Sequence, residues 1–391
     1  MKKEYPSVIL LGSTGSIGRQ TLELAEATGM KITALGAGRN LKLVEEQARR
    51  FRPIACAMAD ETAAAELKIR LADTDIKVLS GAEGVSALAF LDGDTVLNAV
   101  SGSAGLAPTL ATIEAGKPLA LANKESLVMA GGIVMSLAKE KSVRVAPVDS
   151  EHSAIMQTMR SGKKSEIKQL ILTASGGPFF GMTKEQLKEK KLSDALAHPT
   201  WSMGKGITVD SATLMNKGFE VIEASHLFGI PGSKISVVVH RESIIHSMTE
   251  YIDNSVIAQL SVPDMRLCIA HALTCPSRKA GVTPQLDLTE IGRLTFYKPD
   301  TEVFPLLPLA YRALEAGGAL PAALHAANEA AVNAFIDGKI VRFTDIQETV
   351  IRVTDELSCF SGETGLDAVF AADSEARRRV ADLIKRGEFN Y

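Results

Sequence analysis

The sequence lacks the features that mark membrane proteins and nucleic-acid-binding proteins. It has no uninterrupted apolar run of about 18 residues, the length that a membrane-spanning helix needs. Its N-terminus has the composition of neither a signal peptide nor a transit peptide. Its 43 basic and 46 acidic residues give a net charge of −3, so charge favours neither nucleic acid nor an anionic membrane as a partner. We therefore expect a cytoplasmic protein, or a mature form from which a leader has been removed.

The sequence is also poor in cysteine. Four cysteines occur in 391 residues, and no two of them have the Cys-x-x-Cys spacing. This number and spacing exclude a disulfide framework and argue against a cysteine-ligated metal or a redox pair. We expect reduced thiols that pack as small apolar side chains.

Short apolar runs alternate regularly with helical patterns over residues 1–149. This alternation predicts a parallel sheet with helices on both faces, whose ligands bind at the carboxyl ends of the strands. The full chain is long enough for two or three domains. The predicted strands are Ser7–Leu11, Lys31–Leu35, Ile54–Met58, Lys77–Leu79, Thr95–Ala99, Pro118–Leu121 and Arg144–Pro147.

A glycine-rich turn follows the first predicted strand. It reads Gly12-Ser-Thr-Gly-Ser-Ile-Gly18 and leads into an amphipathic helix that we predict to end near Ala27. Strand, glycine turn and helix are the context of a dinucleotide fingerprint, because the glycines let the backbone approach a pyrophosphate at the helix N-terminus. The spacing is a variant of the usual one, and a purely structural glycine turn is the alternative.

The segment after the second predicted strand bears on which dinucleotide would bind. NAD sites usually have an acidic residue there, which binds the ribose hydroxyls. This chain has Gly36-Ala-Gly-Arg-Asn40, and an arginine suits the 2′-phosphate of NADP. We therefore predict NADPH rather than NADH. The alternative is that Arg39 is an ordinary surface residue.

Polar residues follow two later strands of the predicted sheet, at the edge where cofactor and substrate would meet. The first segment is Ala122-Asn-Lys-Glu-Ser126 and the second is Asp149-Ser-Glu-His152. Each segment also has a purely structural alternative. Lys124 and Glu125 could form an ion pair at the start of a helix, and the second segment could be an acidic N-cap region.

Three carboxylates, those of Asp149, Glu151 and Glu220, form a set of the kind that suits Mg²⁺ or Mn²⁺. Glu220 ends a stretch that starts at His198. Within this stretch we predict a mobile loop through Gly206, then Asp210 as an N-cap and a helix from Ser211 to about Leu227.

Four polar side chains, three or four positions apart, share one face of this helix. They are Thr213, Asn216, Lys217 and Glu220. Beside a helix N-terminus that carries Ser211, they could hold an anionic group and a metal ion together. The alternative is a solvated face. A small or apolar stripe covers another side of the helix: Leu214, Gly218, Val221, Ile222 and Ser225.

The remaining sequence predicts a second sheet and a helical C-terminal region. The strands are Leu170–Ser175, Ser236–His240, Ile244–Tyr251 and Ser255–Leu260, with a hairpin turn at Asp253-Asn254. A polar, proline-containing linker follows over 281–300. In the helical region Pro321 should start one helix and Thr344-Asp-Ile-Gln347 should form a capping box for another.

Eight segments, taken in order along the chain, carry a resemblance to a known family. They are Gly12–Gly18, Leu121–Ser126, Pro147–His152, Ala174–Phe179, His198–Gly204, Asp210–Glu220, Pro263–Arg266 and Ala326–Ala330. Together they closely resemble the 1-deoxy-D-xylulose 5-phosphate reductoisomerases. No site residue of the family pattern is missing, although members vary between His152 and Ser175 and around Arg39.

The resemblance implies an NADPH- and divalent-metal-dependent enzyme of the non-mevalonate isoprenoid pathway. Family members convert 1-deoxy-D-xylulose 5-phosphate into 2-C-methyl-D-erythritol 4-phosphate by retro-aldol cleavage, re-aldol addition and reduction of the resulting aldehyde. They are homodimers. The implied fold is α/β: a Rossmann-like parallel sheet (1–149), a central α+β catalytic and dimerisation domain (150–280) with a lid at about 176–206, the linker, and a C-terminal helical bundle (301–391).

The resemblance also implies roles for individual residues. The metal ligands would be Asp149, Glu151 and Glu220. The phosphate would be held by Ser175, Ser211, Asn216 and Lys217, with His198 closing over it. Lys124 and Ser150 would contact the substrate oxygens, and Trp201 and Met203 would lie on the lid. The NADPH site would be lined by Thr14, Gly15, Ser16, Ile17, Gly38, Arg39, Asn40, Asn123, Glu125, Gly204 and Met265.

Two other functions are compatible with a dinucleotide-binding fold. A different NADP-linked dehydrogenase, such as a semialdehyde dehydrogenase, needs a nucleophilic cysteine at a strand end or a helix start. Neither Cys56 nor Cys268 has such surroundings in the sequence. A non-catalytic dinucleotide sensor would have no use for three clustered carboxylates.

Overall fold

The computed structural model describes residues 5–197 and 204–387. The chain forms two compact units, and the first of them is discontinuous: it contains Met1–Ser126, Val134–Ser153 and Asp264–Pro284. The second unit contains Leu127–Ile133, Ala154–Pro263 and Gln285–Tyr391. Across the described ranges, no helix is both long and apolar enough to cross a membrane.

The described residues form eleven strands and seventeen α-helices. The strands are β1 (Val8–Leu11), β2 (Ile32–Ala37), β3 (Ala55–Met58), β4 (Lys77–Ser80), β5 (Thr95–Asn98), β6 (Leu119–Leu121), β7 (Val145–Pro147), β8 (Ile167–Ala174), β9 (Ile235–Val239), β10 (Ile245–Tyr251) and β11 (Val256–Leu260). The helices are α1 (Ser16–Thr28), α2 (Leu41–Phe51), α3 (Glu61–Arg70), α4 (Gly81–Ala87), α5 (Leu106–Glu114), α6 (Glu125–Glu140), α7 (Ser150–Thr158), α8 (Lys184–Leu187), α9 (Leu192–Ala195), α10 (Lys205–Ala212), α11 (Met215–Phe228), α12 (Met265–Thr274), α13 (Leu288–Ile291), α14 (Leu306–Ala316), α15 (Leu320–Ile336), α16 (Phe343–Glu356) and α17 (Leu366–Lys385).

The first unit contains the predicted parallel sheet. Its seven strands lie in the order β4-β3-β2-β1-β5-β6-β7, and each adjacent pair is parallel. All four side chains of β1 are buried, because helices cover a sheet of this kind on both faces. The strand order reverses at β1, so the neighbouring ends of β1 and β5 are the switch point where such sheets bind ligands. The predicted strands and the Rossmann-like topology are confirmed.

Helix α12 completes the first unit, although it lies more than a hundred residues further along the chain. It packs against α1, β6 and β7. Its apolar face is buried there through Cys268, Ile269, Ala272 and Leu273.

The second unit contains a mixed sheet in the order β11-β10-β8-β9. Strands β8 and β9 are parallel, whereas β10 is antiparallel to both β8 and β11. The hairpin between β10 and β11 turns at Asn254, which has a left-handed φ of 68°. Helix α11 packs on β8 and β9 through Val221 and Ala224, which join a core with Leu170 and Leu172. The predicted second sheet and hairpin are confirmed.

The single helix predicted over residues 211–227 is wrong: the chain forms α10 and α11 instead. Asp210 lies inside α10 and is not an N-cap, and Ser211 lies in the last turn of α10 rather than at a helix start. The two helices are separated at Leu214, whose left-handed φ of 60° ends the first and starts the second. The predicted apolar stripe is nevertheless buried at Leu214, Val221 and Ile222.

The C-terminal region is helical, as predicted, and consists of α14 to α17. Pro321 lies in the first turn of α15. The predicted capping box is wrong, because α16 already begins at Phe343 and therefore contains Thr344. The 281–300 linker includes the one-turn helix α13.

Candidate functional site

The turn between β1 and α1 leaves no room for side chains at two of its glycines. Gly12 has a φ of +88°, and a Cβ there would lie 2.3 Å from the carbonyl oxygen of Ala99. A Cβ on Gly18 would lie 2.2 Å from the carbonyl oxygen of Gly12. No side chain in the described structure caps α1, whose N-cap is Gly15. The backbone N–H groups of this turn therefore fit a pyrophosphate.

The segment after β2 is exposed at Gly38, Arg39 and Asn40. The Asn40 side chain caps α2 by accepting a hydrogen bond from the Leu43 N–H at 3.3 Å. Arg39 is thus a solvent-facing cation two residues beyond the end of β2, in the position where a 2′-phosphate would be recognised.

Asn123 and Glu125 stabilise the loop that follows β5. The Asn123 side-chain amide donates to the carbonyl oxygens of Val100 (2.8 Å) and Gly102 (2.9 Å) and to Glu125 Oε2 (2.7 Å). Glu125 Oε1 in turn accepts the Gly102 N–H at 3.1 Å. These contacts link the carboxyl ends of β5 and β6.

The carboxyl ends of β6 and β7 meet in a buried ion pair. Lys124 Nζ lies 2.9 Å from Asp149 Oδ2, and the two side chains are 10% and 12% exposed. Asp149 Oδ1 accepts the Glu151 N–H at 3.2 Å and lies 3.1 Å from His152 Nδ1. Ser150 Oγ donates to the Glu151 carboxylate. Asp149 thus caps the N-terminus of α7, as the N-cap alternative predicted. It also forms an ion pair with the buried Lys124.

The Glu220 carboxylate occupies a comparable buried position in the second unit. Glu220 is 1% exposed and Lys217 is 4% exposed. Asn216 Nδ2 donates to Glu220 Oε1 at 2.6 Å, and Lys217 Nζ is ion-paired with Glu220 Oε2. The solvated-face interpretation is therefore wrong. A cation, an amide and a carboxylate are held together on the first two turns of α11.

The turn that follows β8 packs against the end of α10 through backbone atoms in the second unit. Ser175 follows directly after β8 and begins a glycine turn. A Cβ on Gly177 in this turn would lie 2.7 Å from the carbonyl oxygen of Ser211. The turn that follows Ser175 therefore lies against the last turn of α10, which carries Ser211.

The predicted lid is only partly covered by the described residues. His198, Trp201 and Met203 lie outside the described residues. The described part of the predicted 176–206 lid contains the one-turn helices α8 and α9, and Gly204 is the N-cap of α10.

Cys56 and Cys268 are poor candidates for a nucleophile. Burial raises the pKa of the Cys56 thiol to about 12, and burial together with the nearby Asp149 and Glu151 carboxylates raises the pKa of Cys268 to about 12. A thiol with such a pKa is protonated at neutral pH and is a poor nucleophile. This result disfavours the semialdehyde dehydrogenase alternative.

Three family models match successive parts of the chain. The model described as 1-deoxy-D-xylulose 5-phosphate reductoisomerase matches residues 8–131. Its C-terminal domain model matches residues 145–228, and a second C-terminal domain model of the same enzyme matches residues 260–379.

Full-length relatives agree with the family models. The 1-deoxy-D-xylulose 5-phosphate reductoisomerase of Acetivibrio thermocellus is 50% identical over 379 residues, covering 97% of this chain and 99% of the relative. That of Halothermothrix orenii is 49% identical over 386 residues, covering 98% and 99%.

Solved structures give the same result. The Zymomonas mobilis reductoisomerase in complex with NADPH is 41% identical, with a TM-score of 0.90 over 97% of this chain and 99% of that one. A reductoisomerase in complex with NADPH, fosmidomycin and magnesium is 39% identical, with a TM-score of 0.92 over 98% and 99%. The chain therefore belongs to the 1-deoxy-D-xylulose 5-phosphate reductoisomerase family.

Proposed function

We propose that this protein converts 1-deoxy-D-xylulose 5-phosphate into 2-C-methyl-D-erythritol 4-phosphate with NADPH and a divalent cation. The observation that carries the proposal is the buried group on α11, where Asn216 and Lys217 share the Glu220 carboxylate. Burying charged groups is costly, and a fold tolerates them where they are paired and used. One helix thereby offers donors for a phosphate and an acceptor for a metal ion.

The cation would be held by Asp149, Glu151 and Glu220. These are all oxygen donors, and hard cations such as Mg²⁺ and Mn²⁺ prefer carboxylate oxygens to nitrogen or sulfur. When bound, the metal would supply Lewis-acid polarisation of the substrate's carbonyl and hydroxyl oxygens.

Lys124 and Ser150 would act on the substrate oxygens. The Lys124 side chain is only 10% exposed, and in such a position a cation stabilises developing negative charge on oxygen more strongly than it does in bulk solvent. Its pairing with Asp149 fixes the position of the ammonium group, which can also assist proton transfer during retro-aldol cleavage and re-aldol addition.

The phosphate would be bound by Ser175, Ser211, Asn216 and Lys217, with His198, Trp201 and Met203 closing over the substrate. The phosphate group itself does not react, so its binding energy can be used for closure and orientation. Closure would also retain the two fragments of the retro-aldol cleavage until they recombine into the aldehyde that is reduced.

NADPH would lie on the first unit's glycine turn. Its pyrophosphate would meet the N-terminus of α1 at Thr14, Gly15, Ser16 and Ile17, and its 2′-phosphate would meet Gly38, Arg39 and Asn40. Asn123, Glu125, Gly204 and Met265 would complete the site. Met265 opens α12 and is half-buried.

Arg39→Glu tests the cofactor preference. The variant places a carboxylate where the 2′-phosphate would lie, so the Kd for NADPH should rise by about a hundredfold, as expected for losing a charge-assisted hydrogen bond and gaining repulsion. The Kd for NADH should change little, and both can be measured by fluorescence titration. Equal weakening of the two cofactors would contradict the assignment of Arg39.

The overall proposal is tested by following NADPH oxidation with 1-deoxy-D-xylulose 5-phosphate, with and without Mg²⁺ or Mn²⁺. We expect turnover that requires the metal and stops when a chelator is added. Turnover that persists without metal would leave the family assignment in place but overturn the role of the carboxylates. No turnover under any condition would favour a non-catalytic dinucleotide sensor.

We also propose that the protein is a cytoplasmic homodimer with no nucleic-acid or membrane partner. Strand β11 is an edge of the second sheet, and Val256, Ile257 and the nearby Ile252 are 47%, 36% and 66% exposed. Apolar side chains on an edge strand favour pairing with another chain. All four cysteines are free thiols, which suits a reducing compartment.

Ile257→Glu tests this interface. The substitution places a charge on the edge strand, and we expect light scattering after size exclusion to show a shift from dimer to monomer. Val341→Glu is the matched control, because Val341 is 61% exposed but lies in the C-terminal region. A dimer that survives Ile257→Glu would place the interface elsewhere.

A further inference from the structure

Arg241 is a charged residue that neither the sequence motifs nor the proposed mechanism uses. Its Nη1 donates to two carbonyl oxygens of the turn that contains Ser175: to that of Ser175 at 2.8 Å and to that of Gly177 at 2.7 Å. The guanidinium carbon also lies 5.1 Å from the ring centroid of Phe180. A guanidinium is a planar cation that donates hydrogen bonds and accepts none.

The turn that Arg241 contacts has an unusual backbone. Gly176 and Gly177 have φ values of +78° and +65°, two successive left-handed positions that only glycine adopts readily. The Gly177 N–H donates to Ser175 Oγ at 3.2 Å, so the position of the serine hydroxyl depends on the conformation of the turn. Contacts from residues outside the turn help to hold two successive glycines in one conformation, because glycine loses the most conformational entropy on ordering.

Strand register brings Arg241 to this turn. Ala174 and Val239 are partners in the parallel β8–β9 pair, and the His240 N–H donates to the Ala174 carbonyl at 2.7 Å. His240 Nε2 accepts the N–H groups of Ile244 and Ile245 at 3.2 and 3.1 Å. The backbone on both sides of Arg241 is therefore fixed.

We propose that Arg241 is a positioning residue for the phosphate subsite: it holds the Ser175–Gly177 turn in the conformation that presents the Ser175 hydroxyl, and it makes the turn electrostatically favourable to an anion. Each carbonyl oxygen carries the negative end of a peptide dipole. Binding both oxygens to one guanidinium neutralises them and leaves net positive charge beside the hydroxyl. This inference rests on the proposed function, which assigns Ser175 to the substrate phosphate.

The test compares Arg241→Met and Arg241→Lys with Ser175→Ala. For each variant we would measure kcat/KM for 1-deoxy-D-xylulose 5-phosphate, the competitive Ki of inorganic phosphate, and the Kd of NADPH. Arg241→Met should raise the phosphate Ki and lower kcat/KM by the same factor, roughly 10- to 100-fold, as expected for hydrogen bonds from a charged group. The Kd of NADPH should stay unchanged.

Arg241→Lys should recover part of the loss, because an ammonium group can donate to a carbonyl but lacks the planar surface that faces Phe180. Arg312→Met is the control for losing an arginine, since Arg312 is 58% exposed and pairs with Asp355 on the surface. If Arg241→Met does not fold, the lysine variant alone decides: a raised phosphate Ki with an unchanged melting temperature supports the proposal.

The outcomes separate this inference from the proposed function. If Ser175→Ala weakens phosphate binding but both Arg241 variants behave like the wild type, the positioning role is wrong and the proposed function stands. A fall in kcat with no change in the phosphate Ki would also overturn it. If Ser175→Ala leaves the phosphate Ki unchanged, the phosphate assignment itself is wrong, and the role of Arg241 with it.

Discussion

Replacing Glu220 with glutamine should abolish metal-dependent turnover, lowering kcat by about a thousandfold or more. The reason is that a Lewis-acid metal contributes several kcal/mol to the transition state, and each ~1.4 kcal/mol is a factor of ten in rate. Glutamine keeps the shape of the side chain but loses the negative charge. The measurement is the Mg²⁺ or Mn²⁺ dependence of kcat, with metal affinity determined separately by calorimetry.

The same substitution should also lower stability. Lys217 is 4% exposed, and Glu220→Gln leaves its ammonium group without the carboxylate that pairs with it. Removing one partner of a buried ion pair costs about 3 to 5 kcal/mol of unfolding free energy. The glutamine keeps an amide oxygen that can still accept from Lys217, so we expect a loss near the lower end of this range. A urea titration measures the effect.

Glu250→Gln is the matched control for Glu220→Gln. It removes a carboxylate from the same unit, but the Lys168 that pairs with it at 2.8 Å is 49% exposed. An ion pair whose cation is half exposed to solvent contributes little to stability, so stability and metal dependence should both remain near those of the wild type. If Glu220→Gln keeps full metal-dependent activity, the ligand assignment is wrong.

Replacing Lys124 with methionine should lower kcat by about a hundredfold to ten-thousandfold, the range associated with losing a positioned acid–base or electrostatic group. Metal affinity should not fall with it. Lys124 is a cation 2.9 Å from Asp149, a proposed metal ligand, so removing it takes away a repulsive charge. The expected signature is therefore a large loss of turnover with equal or tighter binding of Mn²⁺.

Lys141→Met provides the comparison for Lys124→Met. Lys141 belongs to the same unit and pairs with Glu114 at 2.7 Å, but both side chains are solvent-accessible, at 36% and 45% exposure. Its loss should leave kcat and metal affinity unchanged. If Lys124→Met weakened metal binding as much as it lowered kcat, Lys124 would be supporting the carboxylates and not acting on the substrate.

The first unit could be predicted from sequence because its signals are local. A parallel strand buried on both faces is a continuous apolar run, as in Val8–Leu11, and the glycine turn that follows has its own steric requirement at Gly12. The acidic and basic residues at the strand ends could be grouped because parallel strands end at the same edge of a sheet.

The break between α10 and α11 could not be predicted in this way. Leucine is a good helix former and has no local reason to adopt a left-handed conformation, yet Leu214 does so. Its side chain is 4% exposed, so burial outweighs the local preference. Asp210 misled the prediction for a related reason: its carboxylate accepts a hydrogen bond from Asn328 at 2.7 Å, from a residue more than a hundred positions away.

Arg241 was missed because its significance depends wholly on tertiary contacts. In the sequence it is one arginine after an apolar run. Only the parallel pairing of β8 with β9 places it beside Ser175, and no spacing rule connects positions 175 and 241. The sequence signal that could have drawn attention to it is the Gly176-Gly177 pair, since such a turn needs stabilisation from elsewhere.

The late position of α12 has a consequence for biosynthesis. The strands of the first unit have all been translated by Pro147, but the helix that covers α1, β6 and β7 starts only at Met265. At about 5 to 20 residues per second, the ribosome needs roughly 5 to 25 seconds to reach it. During that interval an apolar surface of the nascent chain stays uncovered. Release of a chain truncated before α12 should therefore produce a strong client for chaperones, whereas one that ends after Thr274 can close the nucleotide-binding unit.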